Sequence, residues 1–279
     1  MRHMGIVGWG IVGWGLVGCA AASLVSLPAL AVEAAFQHAV EAPTRSAKFV
    51  ARDGARHPAE ELSFFGVTPG STVVEIWPGG GYWTQILAPL LHDHGTYYVA
   101  TGSPDGDKEE AFFKLSPAFR QMLDANPAVY GQVKQTVFGA HHPDLAPAGT
   151  ADVVLTFRNL HNWMAEGDAS EMLAAIRRSL KPGGILGIED HRGNTRTPQD
   201  PKAASGYVRQ DYAKALVERA GFELVGSSEI DANARDTADW PQGVWTLPPV
   251  LALGKVDRAR YSAIGEADNF VLKFRKTGS

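Results

Sequence analysis

The stretch Thr72-Val73-Val74-Glu75-Ile76-Trp77-Pro78-Gly79-Gly80-Gly81 reads as a strand that ends in a glycine turn. Thr72 to Ile76 is a short β-branched run that follows the turn signal Pro69-Gly70, the pattern of a buried strand. From Tyr82 to Leu91 apolar residues recur at helical spacing. Three glycines between a strand and a helix let a ligand approach the backbone closely, and the helix start adds exposed N–H donors.

The alternation continues outward from this unit. Strands are expected at Thr96 to Ala100, Val133 to Val137, Asp152 to Phe157, Ile185 to Glu189, Phe222 to Ser227 and Phe270 to Phe274. Helices are expected near Thr44 to Asp53, Glu109 to Leu123, Asp168 to Leu180 and Gln210 to Ala220. Asp168 with Glu171 three residues on marks a helix start, and Lys181-Pro182-Gly183-Gly184 marks a turn. Trp240 to Asp268 gives no pattern that assigns it a fold. Strands alternating with helices at this spacing imply an α/β, doubly wound, mostly parallel sheet covered on both faces.

A glycine motif also occurs where this context is missing. GWGIVGWGLVG, Gly8 to Gly18, contains G-x-G-x-x-G twice, but too few residues precede it for a buried strand. The matches arise from a repeat of apolar and glycine residues. Met4 to Val32 contains no charged side chain, follows Met-Arg-His and ends in Ala29-Leu30-Ala31. This is the pattern of a secretory signal peptide, residues 1–31, with cleavage expected after Ala31 and a single domain from residue 32 to 279. A secreted or periplasmic protein with no stable membrane insertion after cleavage is the first expectation. Lipidation at Cys19, in Leu16-Val17-Gly18-Cys19, is the second and a retained anchor the third. Cys19 is the only cysteine, so no intramolecular disulfide forms. With 26 Lys and Arg against 30 Asp and Glu, the net charge of −4 provides no basic field for nucleic acid.

Glu75 at a strand end, Gly79 and Gly81 after it, the polar end of the strand Asp152 to Phe157, and Leu180-Lys181-Pro182-Gly183-Gly184 before the next strand together resemble the class I S-adenosylmethionine-dependent methyltransferases. The phrases FRNLHNW, EDHRG, ERAGFELVGSSEI and NFVLKFRK are similar to a group of exported bacterial predicted methyltransferases. The resemblance covers about residues 67–274 and implies a Rossmann-like sheet with an antiparallel last strand. It further implies S-adenosyl-L-methionine as cofactor and a small-molecule acceptor.

Carried over by position, Glu75 would accept from the cofactor's amino group, with Trp77, Gly79, Gly80 and Gly81 in its loop. Thr101 stands near the position of the ribose-binding acid, Phe138 and Ala140 where adenine is contacted, and Arg158 and Asn159 at the next strand end. Two positions differ from the family pattern: Trp77 replaces a glycine, and Thr101-Gly102-Ser103 replaces the acid.

Methyl transfer to a hydroxyl, thiol or amine requires positioning and removal of a proton, work suited to histidine. His161 and His191 fall just past strand ends on the expected face, and Asp190 is placed to orient an imidazole. Arg158 and Arg192 are candidates to bind an anionic acceptor or the cofactor carboxylate. His92-Asp93-His94 and His141-His142 lack a third ligand, and no metal is expected. The alternative reading is a catalytically silent ligand-binding protein of the cell envelope with the same fold. A dinucleotide-dependent oxidoreductase is weaker, because the G-x-G-x-x-G matches lie in the signal segment.

Overall fold

The computed structural model describes residue 1 and residues 27–103, 105 and 108–278. The expected signal segment and Cys19 therefore lie mostly outside the described residues. Among the described residues no helix is long and apolar enough to cross a membrane.

The N-terminal part contains α1 (Leu27–Val40), α2 (Ala47–Val50), α3 (Asp53–Arg56) and α4 (Pro58–Phe65). The alternating region follows with β1 (Thr72–Ile76), α5 (Thr84–Leu91), β2 (Thr96–Thr101), α6 (Lys108–Phe112), α7 (Pro117–Ala125), α8 (Pro127–Tyr130), β3 (Lys134–Val137) and β4 (Ala151–Phe157). After it come α9 (Leu160–Glu166), α10 (Ala169–Ser179), β5 (Leu180–His191), α11 (Gln210–Arg219), β6 (Phe222–Ser228), β7 (Pro241–Val244), α12 (Arg258–Ile264) and β8 (Asn269–Lys276).

Seven strands form one sheet in the order β3-β2-β1-β4-β5-β8-β6. The first five pair in parallel, and β8 runs antiparallel between β5 and β6. The chain reverses its direction of travel across the sheet between β1 and β4, so the crevice at their carboxyl ends is the topological switch point where such sheets bind ligands.

Period-two alternation divides the core between the two faces. Val73, Val153 and Leu155 face α1, α4 and α5, with Phe36, Leu62, Phe65, Ile86 and Leu87. Val74, Ile76 and Val154 face α9, α10 and α11, with Leu160, Trp163, Leu173, Ile176 and Val217. Glu75 falls on the first face, where Thr84 Oγ1 donates to its Oε2 at 2.8 Å and Tyr97 Oη donates to the same oxygen. That carboxyl ties β1 to β2 and to the start of α5.

Three expectations are corrected. The helix expected from Glu109 to Leu123 is divided into α6 and α7, because Pro117 disfavours helical backbone at Ser116 and starts a new helix. Ser116 Oγ caps that start by accepting from Phe119 N at 3.1 Å. The segment after β4, where no helix was expected, forms α9, which ends at Gly167 in the left-handed conformation at φ 92°. Lys181 to Gly184 belongs to β5 as an irregularity at its start, with the register shifting between Ala151 and Val153 opposite. Residues 240–268 build a cap with its own cluster of Tyr207, Val244, Leu247, Tyr261 and Ala267.

Two substitutions test this packing. At Gly187 of β5 a Cβ would lie 2.7 Å from Phe65 Cδ1 and 2.8 Å from Leu155 Cδ2. Gly187→Ala is expected to destabilise the fold by about 1–3 kcal/mol, and an unchanged denaturant midpoint would contradict the packing. Burial pushes the Glu75 carboxyl up to about 7, against the opposing hydrogen bonds from Tyr97 and Thr84. The folded state thus holds this proton more tightly than the unfolded state, so its stabilisation is complete below the ordinary carboxyl range and disappears as pH rises toward about 7. Relative to Glu75→Gln, the parent is expected to lose up to about 3 kcal/mol across that window. Parallel stability–pH curves for the two proteins would refute it.

Candidate active site

Two cavities meet at the switch point. A cavity of about 200 Å³ is lined by Glu75, Trp77, Gly79, Gly80, Arg158 and Asn159, together with Phe49, Tyr82 and Trp83. A larger one of about 570 Å³ is lined by His161, His191, Asn162, Asn269, Trp245 and Glu266. Arg52, Arg56, Phe113 and Arg158 belong to the walls of both.

The smaller cavity is shaped by unusual backbone. Trp77 at the end of β1 has φ 48° and Arg158 at the end of β4 has φ 61°. Left-handed backbone costs a residue with a Cβ roughly 1–2 kcal/mol, so each must be held by its surroundings. Trp77 N donates to Ala100 O at 2.8 Å, and its indole Nε1 donates to Phe138 O at 3.0 Å. The indole stacks on Phe113 with centroids 4.9 Å apart. Arg158 N donates to Glu189 O at 2.7 Å, and its guanidinium lies 3.5 Å from Glu189 Oε1 and 3.7 Å from Glu266 Oε2.

Gly79 has φ 56°, and a Cβ added there would meet nothing within 4 Å. Its backbone and that of Gly80 are exposed to the cavity. Gly81 serves packing instead, since a Cβ there would lie 2.9 Å from Phe119 and 3.0 Å from Met122. Asn159 Nδ2 donates to Ile76 O at 3.1 Å, fixing the end of β4 to that of β1.

In the larger cavity the key pairing joins distant residues. His161 Nδ1 donates to Asp190 Oδ1 at 2.8 Å, and His161 N donates to Asp190 Oδ2 at 3.0 Å. Burial pushes the Asp190 carboxyl up, but His161 pulls it down further, leaving it below its ordinary value and ionised. An ionised Asp190 fixes the proton on Nδ1 of His161 and leaves Nε2 with a lone pair. Asp190 thus orients the histidine on α9; the adjacent His191 gives it only a backbone N–H, at 2.7 Å. His191 is set by another chain: Asn269 Nδ2 donates to Glu189 Oε1 at 2.8 Å, so its Oδ1 accepts from His191 Nδ1 at 2.8 Å. Burial drives the His191 imidazole well below its ordinary value, so it is neutral. The two imidazole centroids are 5.3 Å apart.

Six of the residues expected to bind cofactor therefore converge on the smaller cavity: Glu75, Trp77, Gly79, Gly80, Arg158 and Asn159. Gly81, Thr101, Phe138 and Ala140 do not line it. Thr101 faces a separate cavity with Gln135 and Arg120, and its Oγ1 donates to Thr136 O at 3.3 Å. Phe138 is fully buried. Arg192 is engaged by Glu229 and Asp268. Arg52, Arg56, Glu266, Asn269 and Trp245 complete the site without having been expected there. Proximity in the fold selects them: Arg52, Arg56, Glu266 and Trp245 lie in segments with no motif, and Asn269 opens the phrase NFVLKFRK without having been singled out in it.

Among the described residues two groups have metal-ligand spacing, with one ligand atom per residue inside 4.8 Å: His161, Asp190 and His191, and Glu61, Glu189 and Asp231. In the first, Asp190 already accepts three hydrogen bonds. In the second, burial raises Glu61 well above the carboxylate range, helped by Glu189 and Asp231, so the group lowers its charge by holding a proton. Neither arrangement calls for an ion.

No family model matches the chain. Among solved structures it is similar to a SAM dependent methyltransferase from Aquifex aeolicus, at 16% identity and TM-score 0.53 over 81% of this chain and 93% of that one. It is similar to the [4+2]-cyclase SpnF, at 16% identity and TM-score 0.55 over 81% of each chain. It is also similar to the trans-methyltransferase CalH in complex with SAH, at 17% identity and TM-score 0.50 over 82% of this chain and 59% of that one. With the strand order and the antiparallel β8, these likenesses give the chain the Rossmann-like fold of the class I methyltransferase type.

Proposed function

We propose that this protein is an S-adenosylmethionine-dependent methyltransferase acting on a small molecule. One observation carries the reading: an oriented base on a large cavity adjoins a glycine-lined cavity at the switch point, with Arg158 in both walls. Methyl transfer needs this division, because donor and acceptor must enter separately and meet in line.

The fit of the cofactor is uneven along its length. The open Gly79 and Gly80 backbone suits its amino-acid end, where Arg158 is already paired with Glu189 and Glu266. At the ribose end Thr101 offers a hydroxyl already bonded to Thr136 O, where the family pattern has a carboxylate. When bound, the cofactor supplies an electrophilic methyl on a sulfonium. In this chain Gly79 and Gly80 allow close approach, Phe113, stacked on Trp77, lines both cavities, and His161 Nε2 receives the acceptor's proton while Asp190 stabilises the resulting imidazolium. Asp190, a buried carboxylate bonded to both the ring and the backbone of His161, keeps Nε2 aimed without cost at the moment of reaction.

A second reading, a ligand-binding protein without methyl transfer, is favoured by Trp77, whose ring is buried against Phe113 in a loop where the family has glycine. That the similar SpnF is named a cyclase accords with more than one use of the fold. We also propose export, with a mature chain starting at Val32, in the first part of α1. N-terminal sequencing of protein recovered from an expressing bacterium would detect that start, and an intact Met1 terminus would refute it.

Calorimetric titration with S-adenosylmethionine and S-adenosylhomocysteine tests the main reading. Gly79 and Gly149 both have left-handed backbone, at φ 56° and 66°, and open space at the Cβ position. Only Gly79 lies at the cavity. Gly79→Ala is expected to weaken binding by about tenfold or more, while Gly149→Ala, with the same backbone penalty of roughly 1 kcal/mol, leaves it unchanged. His161→Gln should retain affinity and lose about 10²–10⁴-fold in turnover once an acceptor is supplied. Failure of the folded parent to bind either compound would remove the methyltransferase reading and leave the binding protein.

A further inference from the structure

The buried charges around the larger cavity are already committed, while Lys108, also in its lining, is exposed. Arg52 donates to both oxygens of Glu266 at 2.6 and 2.7 Å, and Arg56 donates to Glu266 Oε2 at 3.3 Å. Arg158 is shared between Glu189 and Glu266. His191 is neutral. An anionic acceptor would find its guanidinium groups occupied and would have to compete with buried carboxylates for them. A cationic one would find the carboxylates held by the same arginines.

Another part of the lining is apolar and open. Phe112, Trp245 and Val250, which line this cavity, are 76%, 38% and 55% exposed, and they are among the few large hydrophobic residues so exposed in the described chain. Apolar groups gathered at the mouth of a cavity mark a surface that a ligand covers. Pro248 and Pro249 extend that wall. The Trp245 ring lies 6.3 Å from the His161 ring, edge to face at 70°, so the aromatic wall reaches the base itself. At about 570 Å³ the cavity has room for one or two fused rings beside the reacting group.

We infer that the acceptor is an uncharged, flat aromatic molecule carrying a hydroxyl, seated against Trp245, Phe112 and Phe113 with that hydroxyl on His161. This rests on the methyltransferase reading for the fate of the hydroxyl. The aromatic oxygen bonds to the methyl carbon of the sulfonium, the carbon–sulfur bond breaks with its electron pair left on sulfur, and the hydroxyl proton passes to His161 Nε2. His191, whose Nδ1 is bonded to Asn269, presents its own Nε2 as a second acceptor beside it. A hydroxyl has one proton to donate to either lone pair, whereas a carboxylate, which offers only acceptors, has none.

Equilibrium dialysis with three probes of similar size tests the inference: 2-naphthol, 2-naphthoate, and decahydro-2-naphthol, which keeps the hydroxyl and loses the flat ring. 2-Naphthol is expected to bind about tenfold or more tightly than either of the others. Trp245→Ala should remove about tenfold of that affinity. It should leave S-adenosylhomocysteine binding unchanged, and Val256→Ala, at an exposed residue that does not line the cavity, should have no effect. Tighter binding of 2-naphthoate, equal binding of the saturated alcohol, or indifference to Trp245→Ala would each overturn it. S-adenosylhomocysteine titration separates the two readings. Cofactor binding without naphthol selectivity overturns the acceptor class alone, while naphthol selectivity without cofactor binding supports the pocket's ligand class and removes the methyl transfer.

Discussion

The structure around the site depends on the ion pairs that Glu266 and Glu189 make with three arginines. Arg52 comes from the turn before α3 and Arg56 from α3, Arg158 and Glu189 from the ends of β4 and β5, and Glu266 from the cap. Burial pushes the Glu266 carboxyl up, but the arginines bring it down to about 2. Loss of one partner from such a group strands buried charge, a change that typically costs about 3–5 kcal/mol. Because the partners lie on three separate parts of the chain, the N-terminal helices, sheet and cap are held in one relative position, and both cavities are bounded by that joint.

The same pairs allow the backbone at Arg158 to remain left-handed. Arg158 N and its guanidinium both engage Glu189, and the β4–β5 register places Phe157 opposite Glu189. Trp77 is held differently, by a backbone bond to the end of β2, an indole bond to Phe138 O and stacking on Phe113. Two strained positions at the carboxyl ends of adjacent central strands are the kind of feature found where a ligand is gripped. Here they turn Trp77 and Arg158 toward one small cavity and leave Gly79 open beside it.

Tyr97 and Thr84 place Glu75 in a different role from a free carboxylate awaiting a ligand. Both hydroxyls bond one oxygen, Oε2, and burial favours the protonated form. Glu75 therefore joins two strands and a helix while it also lines the cavity. Asp190 likewise has two tasks, bonding the His161 ring and a backbone N–H in the first turn of α9. In both cases one buried carboxyl fixes local structure and lines or orients the site.

The sequence by itself determined the sheet and the place to look. The β-branched run Thr72 to Ile76, the glycines after it and the helical spacing beyond are local patterns, and backbone geometry turns each directly into an element. Ser116-Pro117 also held a readable break that the apolar run around it obscured. The pairings in the site were decided by tertiary structure. His161 meets Asp190 across 29 residues, His191 meets Asn269 across 78, and Arg52 meets Glu266 across 214. Such contacts depend on strand register and on how the cap closes over the sheet. Both are set by the packing of whole faces, and a local run of residues carries no record of which distant side chain will stand opposite it.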